Sequence, residues 1–476
     1  MIPVIILIFF VVYLFITLEH NIKIDKLIPA LVMMALMWAL VALGMDHFVE
    51  WFDSGAHALK QISDIKYSDE IVAAHSLTTD HAVRMYTMEQ TLLHHFGKTC
   101  EILIFLLGAM TIVEIIDYFD GFATFKSFIR TKKKKKILWI FAFLAFILSA
   151  IIDNLTATIV LISILQKILK NREERIWFAG LIIIAANAGG AWSPIGDVTT
   201  TMLWIGNKVS TGALIKYLLI PSFVCMAVPT LIASFLPAFQ GEIDYDEQEE
   251  EKPKSKYGST MLYLGLAMII FVPIFKVVTH LPPYVGMMLS LGVVATFAEI
   301  YSRTKFSMAH AMEHEAGHGH HSPVHKSLSK IELPSVLFFL GILMAVAALE
   351  SLGVLFGFAS MMQESIPLMG TELASAQTSD IVVMLMGVAS AVIDNVPLVA
   401  ASLGMFTEEM DNPLWHFIAF SAGTGGSMLI IGSAAGVVAM GMEKIDFFWY
   451  LKKIAWLAFI GFIAGAACFI IMRGFL

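Results

Sequence analysis

Charged side chains are scarce in this chain. Only 15% of its 476 residues are Asp, Glu, Lys or Arg, against about 25% in ordinary soluble domains. Hydrophobic residues make up 58%, and that balance excludes a water-soluble globular chain. Cysteine is almost missing. Cys100, Cys225 and Cys468 lie in or beside apolar segments, which excludes a disulfide framework and a cysteine-built metal set. The first apolar run, Ile2 to Leu18, has no basic stretch before it and no small-residue cleavage site after it. It reads as a retained span and not as a signal peptide. The net charge of -8 excludes little, because seven acids crowd one linker from Glu242 to Glu251. That linker reads as a solvated tether.

Long apolar runs are what the chain has in abundance. Runs of 17 or more residues recur, long enough for roughly 30 Å of hydrocarbon. Expected full spans are 1–18, 27–44, 100–118, 213–238, 259–279, 284–301, 333–360 and 449–472. Four further stretches are interrupted: 137–169, 176–206, 380–406 and 413–441. Polar connectors occupy 45–98, 240–258 and 302–330. The expected fold is an all-α polytopic membrane protein. It has four parts: N-terminal spans and a polar connector (1–96), a first repeat (97–239), a connector with two spans and acidic and His-rich cytoplasmic linkers (240–332), and a second repeat (333–476).

The repeat rests on two near-copies. "SAIIDNLTATIV" runs from Ser149 to Val160, and "SAVIDNVPLVAA" from Ser390 to Ala401. Each puts Asp and Asn inside an apolar run. The first is flanked by Lys132–Lys136 and by Lys170–Arg175, both strongly basic, so both ends belong on the cytoplasmic side. The second is flanked by Thr378–Asp380 and Thr407–Asn412, which hold no Lys or Arg. Each stretch therefore reads as a re-entrant hairpin, the two inserted from opposite sides. The implied layout has inverted repeats, an outside N-terminus, about ten crossings and two hairpins. It places 23 of the 31 Lys and Arg in cytoplasmic connectors.

A Gly-rich break follows each hairpin: "NAGGAWSPIGDVTTTMLW" (Asn187–Trp204) and "SAGTGGSMLIIGSAAGVVAMG" (Ser421–Gly441). Aligning Gly189–Gly190 on Gly425–Gly426 brings Ile195–Gly196 onto Ile431–Gly432 and Asp197 onto Ser433. Paired glycines and Pro194 disfavour a continuous helix. Interrupted segments at matching places in two halves point to a transporter's binding site. For Gly436 and Gly441 close helix packing is the simpler reason.

The polar groups gathered by these motifs are Asp153, Asp394, Asp197, Asn154, Asn395, Asn187, Ser149, Ser390, Thr156, Thr199, Thr200, Ser193, Ser427 and Ser433. No Lys or Arg lies within the motifs. A charge at bilayer depth costs about 2.5–3.5 kcal/mol on insertion scales. Unpaired carboxylates would repel an organic anion and suit a small hard cation, which takes carboxylate, carbonyl and hydroxyl oxygens. A carboxylate that can hold either H⁺ or Na⁺, but not both, supplies exchange by competition. Each aspartate also has a plainer reading, as the N-cap of a half-helix.

At these residues the chain resembles the NhaD-type sodium/proton antiporters of the ion transporter superfamily. The match covers most of 97–239 and 333–476. The resemblance implies exchange of Na⁺ or Li⁺ for H⁺ in a bacterial inner membrane, a homodimer, and a transport part that moves like an elevator. It implies functional roles for Asn154, Asn187, Asp197, Thr199, Thr200, Ser390, Asp394, Asn395, Ser427 and Ser433. Sodium is expected at Asp394, Asn395, Asn154 and Asp197, with no cofactor and no nucleic-acid partner. Dicarboxylate carriers of the superfamily have Ser-Asn-Thr at the hairpin tips, where this chain has "DNLT" and "DNVP". A cation-coupled organic anion carrier of the same fold is the alternative.

Two other features lie outside these motifs. "HEAGH" (His314–His318) fits the zinc-protease pattern H-E-x-x-H, but it sits in a Gly-containing polar connector near His310, His320, His321 and His325. A solvated His-rich loop is the simpler reading. His94, Glu101, Glu114 and Asp117 lie on or beside the third span. Glu114 and Asp117 share a helical face and are lesser candidates for a proton path.

Overall fold

The computed structural model describes residues 1–17, 22, 24–53, 58–75, 77–128, 131–243, 257–309, 322–365 and 380–475. The "HEAGH" stretch, His310, His320, His321, most of the acidic linker and Thr378–Ser379 lie outside the described residues.

The described chain is helical nearly throughout. In order the helices are α1 (Ile2–Thr17), α2 (Leu27–Gly44), α3 (Asp69–Ala74), α4 (Asp80–Tyr118), α5 (Lys134–Ile152), α6 (Asn154–Ile168), α7 (Arg172–Gly190), α8 (Val198–Ile205), α9 (Thr211–Ala233), α10 (Gly258–Thr279), α11 (Pro283–Ala309), α12 (Pro323–Leu328), α13 (Leu333–Ser351), α14 (Val354–Ser365), α15 (Asp380–Ala389), α16 (Asn395–Met405), α17 (Pro413–Gly425), α18 (Ala434–Glu443), α19 (Phe447–Lys453) and α20 (Ala455–Arg473). Among the described residues the sheet is one antiparallel pair, β1 (Glu50–Asp53) and β2 (Ala58–Gln61), with Trp51 opposite Lys60. Eight described helices are long and apolar enough to cross a membrane: α2, α4, α5, α9, α10, α11, α13 and α20.

That set differs from the expected runs in instructive ways. The first run forms helix α1, which fills the expected span through Thr17, the last described residue before position 22. The 45–98 connector is not loop throughout. It holds the β pair, and α4 begins at Asp80, well before the apolar run at 100, because its polar first half keeps a helical pattern and contains no Gly or Pro before Gly97. The 333–360 run breaks after Ser351, where Gly353 takes φ +69° and sets α14 on a new course. The 449–472 run breaks at Ile454, between α19 and α20.

The fold divides into two compact units. One comprises Met1–Leu103, Glu332–Val382 and Val396–Leu414; the other comprises Ile104–Ile331, Val383–Asn395 and Trp415–Leu476. In the first unit α2 packs on α13. Gly341 lets the helices approach so closely that a Cβ there would sit 2.7 Å from the Ala30 carbonyl carbon. Trp38 Nε1 donates to Met344 O at 2.8 Å across the same seam. The β pair is tied down by Trp51 Nε1, which donates to Thr91 Oγ1 at 3.1 Å.

The second unit carries the first motif and the "SAVIDN" of the second. α5 ends where Asp153 adopts φ 79°, and α6 starts at the next residue. α7 opens on an Asn171 cap, whose Oδ1 accepts from Glu173 N at 2.9 Å, with Glu173 and Glu174 favouring the positive helix end. α9 contains Pro221 and Pro229, and Pro229 leaves the Cys225 carbonyl without its helical donor. α20 meets that carbonyl with Gly461, where a Cβ would come within 2.5 Å of it. The glycine and the proline thus form one joint between α9 and α20.

The two repeats fold alike inside this unit. α7 ends at Gly190 and α17 at Gly425; α8 begins after Asp197 and α18 after Ser433. Asp197 has φ/ψ of -151/151° and Ser433 -148/153°. Ser149 Oγ donates to Ala186 O at 2.6 Å, and Ser390 Oγ to Ala422 O at 2.8 Å. A Cβ on Gly189 would stand 2.2 Å from Phe146 O, and one on Gly425 would stand 1.9 Å from Gly387 O. The serines of "SAIIDN" and "SAVIDN" thus make the same contact, although α5 runs on to Ile152 while α15 ends at Ala389. Lys276, which falls inside a span, closes the far end of the first break: its Nζ donates to Trp204 O, the last turn of α8, at 2.7 Å.

The repeats are also joined by charge. Arg175 Nε reaches both oxygens of Glu443 at 3.0 Å, and Glu443 is 2% exposed. Arg172 donates to Glu443 O and Lys444 O at 3.0 and 2.6 Å. Removing one partner of a buried pair costs about 3–5 kcal/mol. Glu443→Gln should therefore lower the thermal unfolding midpoint in detergent by many degrees; an unchanged midpoint would show that the pair contributes nothing. Gly425→Ala should yield no folded protein by size-exclusion chromatography, because its methyl has nowhere to go; a normal monodisperse peak would contradict the packing described above.

Candidate functional site

The site lies where the two helix starts of the "DN" motifs meet the first break. Asn154 opens α6, Asn395 opens α16, and Asp197 precedes α8. All three are buried, at 4%, 3% and 3% exposure. Asn154 Nδ2 donates to Asp197 Oδ1 at 3.2 Å, and Asn395 Nδ2 donates to Asp197 Oδ2 at 3.0 Å. The Thr199 hydroxyl also donates to Oδ2. One carboxylate thus receives an amide from each repeat and a hydroxyl from its own helix. Hydrogen bonds to a charged group are worth about 1.5–3 kcal/mol each. Together they offset part of the cost of burying an anion. The three partners are neutral, and no ion pair to Asp197 or Asp153 occurs among the described residues.

The network continues past Asn154. Its amide also donates to Asn187 Oδ1 at 3.0 Å. Asn187 Nδ2 in turn donates to Ser427 Oγ and Ser433 Oγ, both at 2.9 Å. Ser433 Oγ also accepts from Gly436 N at 3.3 Å and so caps α18. Side chains from both repeats are therefore linked in one buried chain from Ser427 and Ser433 through Asn187 and Asn154 to Asp197. Hydroxyls at its end can donate or accept, so the chain can reverse its polarity.

The other expected residues have different places. Asp153 caps its own helix, accepting from Thr156 N at 2.7 Å and Thr156 Oγ1 at 3.1 Å. Asp394 stands immediately before Asn395, half-buried. Both lie within electrostatic reach of Asp197. Thr200 Oγ1 bonds backbone, donating to Asp197 O at 2.9 Å. Ser149 and Ser390 bond backbone carbonyls and hold the repeats' helices together. Glu114 and Asp117 face Lys330 Nζ at 3.9 and 3.8 Å, and Glu101 faces Lys98 at 3.9 Å. His94 belongs with Glu101 to the other compact unit, and its ring packs edge-on to that of His95.

Sequence reasoning passed over Tyr450. It is fully buried, and its hydroxyl donates to Ser427 O at 2.8 Å, fixing the backbone beside the Asn187 bonds. Nothing in the spacing of "FFWYLKK" marks that role. In sequence, Asn154 and Asn395 group with Asp197 and Asp394; that both amides donate to Asp197, one of them from 198 positions away, is set by packing.

A multi-span helical chain with an internally repeated, interrupted core around a buried carboxylate has the architecture expected of a membrane transporter. The known proteins agree. A family model described as citrate transporter matches residues 7–411. Sodium/proton antiporter 1 of Arabidopsis thaliana is 43% identical over 79% of this chain; the chain spans 62% of that relative's length. The Na(+)/H(+) antiporter NhaD of Alkalimonas amylolytica is 31% identical over 97% of this chain and 88% of its own. The crystal structure of the YdaH transporter of Alcanivorax borkumensis shares the fold, with TM-score 0.54 at 12% identity, covering 94% of this chain and 98% of that one. The chain belongs to the citrate transporter family, and to the NhaD-type proteins within it. It is a transporter and not an enzyme.

Asp153→Asn separates cap from charge, because asparagine caps as well as aspartate. The variant should keep its unfolding midpoint and its transport. Lost transport in a folded variant would instead give the Asp153 charge a part in the cycle.

Proposed function

We propose that this chain exchanges Na⁺, and Li⁺ with it, for H⁺ across an ion-tight membrane, a bacterial inner membrane being what the resemblance implies. The observation that carries this reading is Asp197, buried and hydrogen-bonded by neutral groups from both repeats, with no ion pair among the described residues. A carboxylate so placed can be neutralised by a proton or by a small cation, not by both. Loaded with either, the site is near neutral and crosses the membrane interior at lower cost. Empty, it carries an exposed charge requirement and stays. Competition for Asp197 then converts a proton gradient into a sodium gradient.

Asn154 and Asn395 suit both states. With their Nδ2 groups toward Asp197 they stabilise the free carboxylate. Turned about the side-chain amide, each presents Oδ1 instead and becomes a ligand for a hard cation. Asn187, Ser427 and Ser433 can follow that turn, since their bonds reverse with it. Asp394 adds a second carboxylate within reach and supplies the further negative charge a cation would seek. Alternating access by the hairpins as re-entrant elements, an elevator-like transport part and a homodimer belong to the same proposal, supported by the resemblance to NhaD-type proteins. Crosslinking of purified protein in nanodiscs would give a dimer band; monomer alone would remove that element.

The family description names citrate, which makes the organic anion carrier the second reading. A citrate trianion beside Asp197 would meet a carboxylate and not a cation, which favours the first. In everted membrane vesicles, a Na⁺ pulse should dissipate an imposed pH gradient and a citrate pulse should not. The opposite pattern would establish the anion carrier. Asp197→Asn should abolish the Na⁺ response while leaving the protein folded and inserted, and Asp394→Asn should do the same. Retained exchange in either would remove that carboxylate from the mechanism.

A further inference from the structure

The two repeats fold alike but are not equal at one position beside Asp197. The register that places Asp197 on Ser433 places Asn187 on Gly423. Asn187 reaches across to Ser427 and Ser433. The corresponding partners for a side chain at 423 would be Ala191 and Asp197. The geometry agrees: a Cβ built on Gly423 would lie 3.4 Å from Ala191 Cβ and 3.7 Å from Asp197 Oδ2. Where one repeat has an amide filling the corner, the other has a glycine facing an alanine. Asn154 splits its amide between Asn187 and Asp197. Asn395 cannot repeat that arrangement, because Gly423 has no side chain to accept from it.

Packing does not require this glycine. Gly425 and Gly426, on the same segment, would put a Cβ 1.9 and 2.6 Å from backbone carbonyls, whereas the contacts at Gly423 are ordinary ones. The residue lies inside α17, where alanine would strengthen the helix. A Cβ fits at Gly423 in ordinary contact, so this glycine costs helix stability without packing demanding it, and it leaves a methyl-sized gap. The space borders Asp197 Oδ2.

We propose that Gly423 is a specificity-determining position. The transported cation binds against Asp197 Oδ2 in the corner that Gly423 and Ala191 leave open, and the bulk of these two residues sets which alkali cation fits. This rests on the cation-exchange reading above. The occupant is a small monovalent cation with part of its water shell, held by Asp197 and by the Asn395 amide once turned.

The experiment compares Na⁺, Li⁺ and K⁺ exchange in vesicles holding the wild type, Gly423→Ala, Gly423→Asn and Ala191→Gly, with unfolding midpoints measured on the purified proteins. Gly423→Ala should fold at least as well as the wild type. It should raise the half-saturating Na⁺ concentration about tenfold, equivalent to about 1.4 kcal/mol, and shift the Li⁺ value less, since Li⁺ is smaller. Gly423→Asn should lose exchange of both ions, because a restored amide would occupy the corner. Ala191→Gly should widen it and admit K⁺, and it decides the matter if the Gly423 variants do not fold. Wild-type half-saturation for Na⁺ and Li⁺ in Gly423→Ala, or unchanged K⁺ exclusion in Ala191→Gly where it alone folds, overturns the inference and leaves the exchanger reading standing. No exchange by the wild type overturns both.

Discussion

The structure depends on one shared carboxylate. Asp197 is buried, and the groups that hold it come from three separate places in the chain: Asn154 from the first hairpin motif, Asn395 from the second, Thr199 from its own helix. A desolvated anion is tolerated only where donors surround it. The donors here are dipoles and not ammonium or guanidinium groups, so the charge is solvated without being cancelled. That is the condition a cation or proton site must meet, because a full ion pair would leave nothing for the transported ion to neutralise.

Much of the surrounding architecture serves to hold those donors in place. The α7 and α17 breaks require Gly189 and Gly425, seated on the backbone carbonyls of Phe146 and Gly387. The serines of the "SA[IV]IDN" motifs tie the hairpins to the same breaks. Ions placed elsewhere do structural work: Lys276 closes the end of α8 through Trp204, and Arg175 with Glu443 clamps the beginning of α7 to the end of α18. Charge in this chain is scarce; buried Glu443 fastens the frame and buried Asp197 stands at the centre.

The two repeats share the backbone of their breaks and differ in their polar side chains. Asp197 stands opposite Ser433, and Asn187 opposite Gly423. An exact copy would set two carboxylates or two serines about the centre. The departure from symmetry puts the carboxylate that collects both amides on one repeat and a glycine beside it on the other. Asp153 and Asp394 occupy equivalent positions at the helix starts, and Asp153 is engaged in capping α6.

The all-helical membrane class and the place of the breaks were legible in sequence, because hydropathy and Gly-Pro interruptions act locally. So was the internal repeat, since equal local sequences impose equal local folds. The candidate polar residues could be gathered as a set on the same grounds. Their division of labour could not. That Asp153 caps while Asp197 collects donors, that Asn154 and Asn395 meet on one carboxylate, and that Gly423 borders it are facts of long-range packing. Residues hundreds of positions apart are brought together only when the helices assemble, and a pattern read along the chain carries no information about which side chains will then face one another.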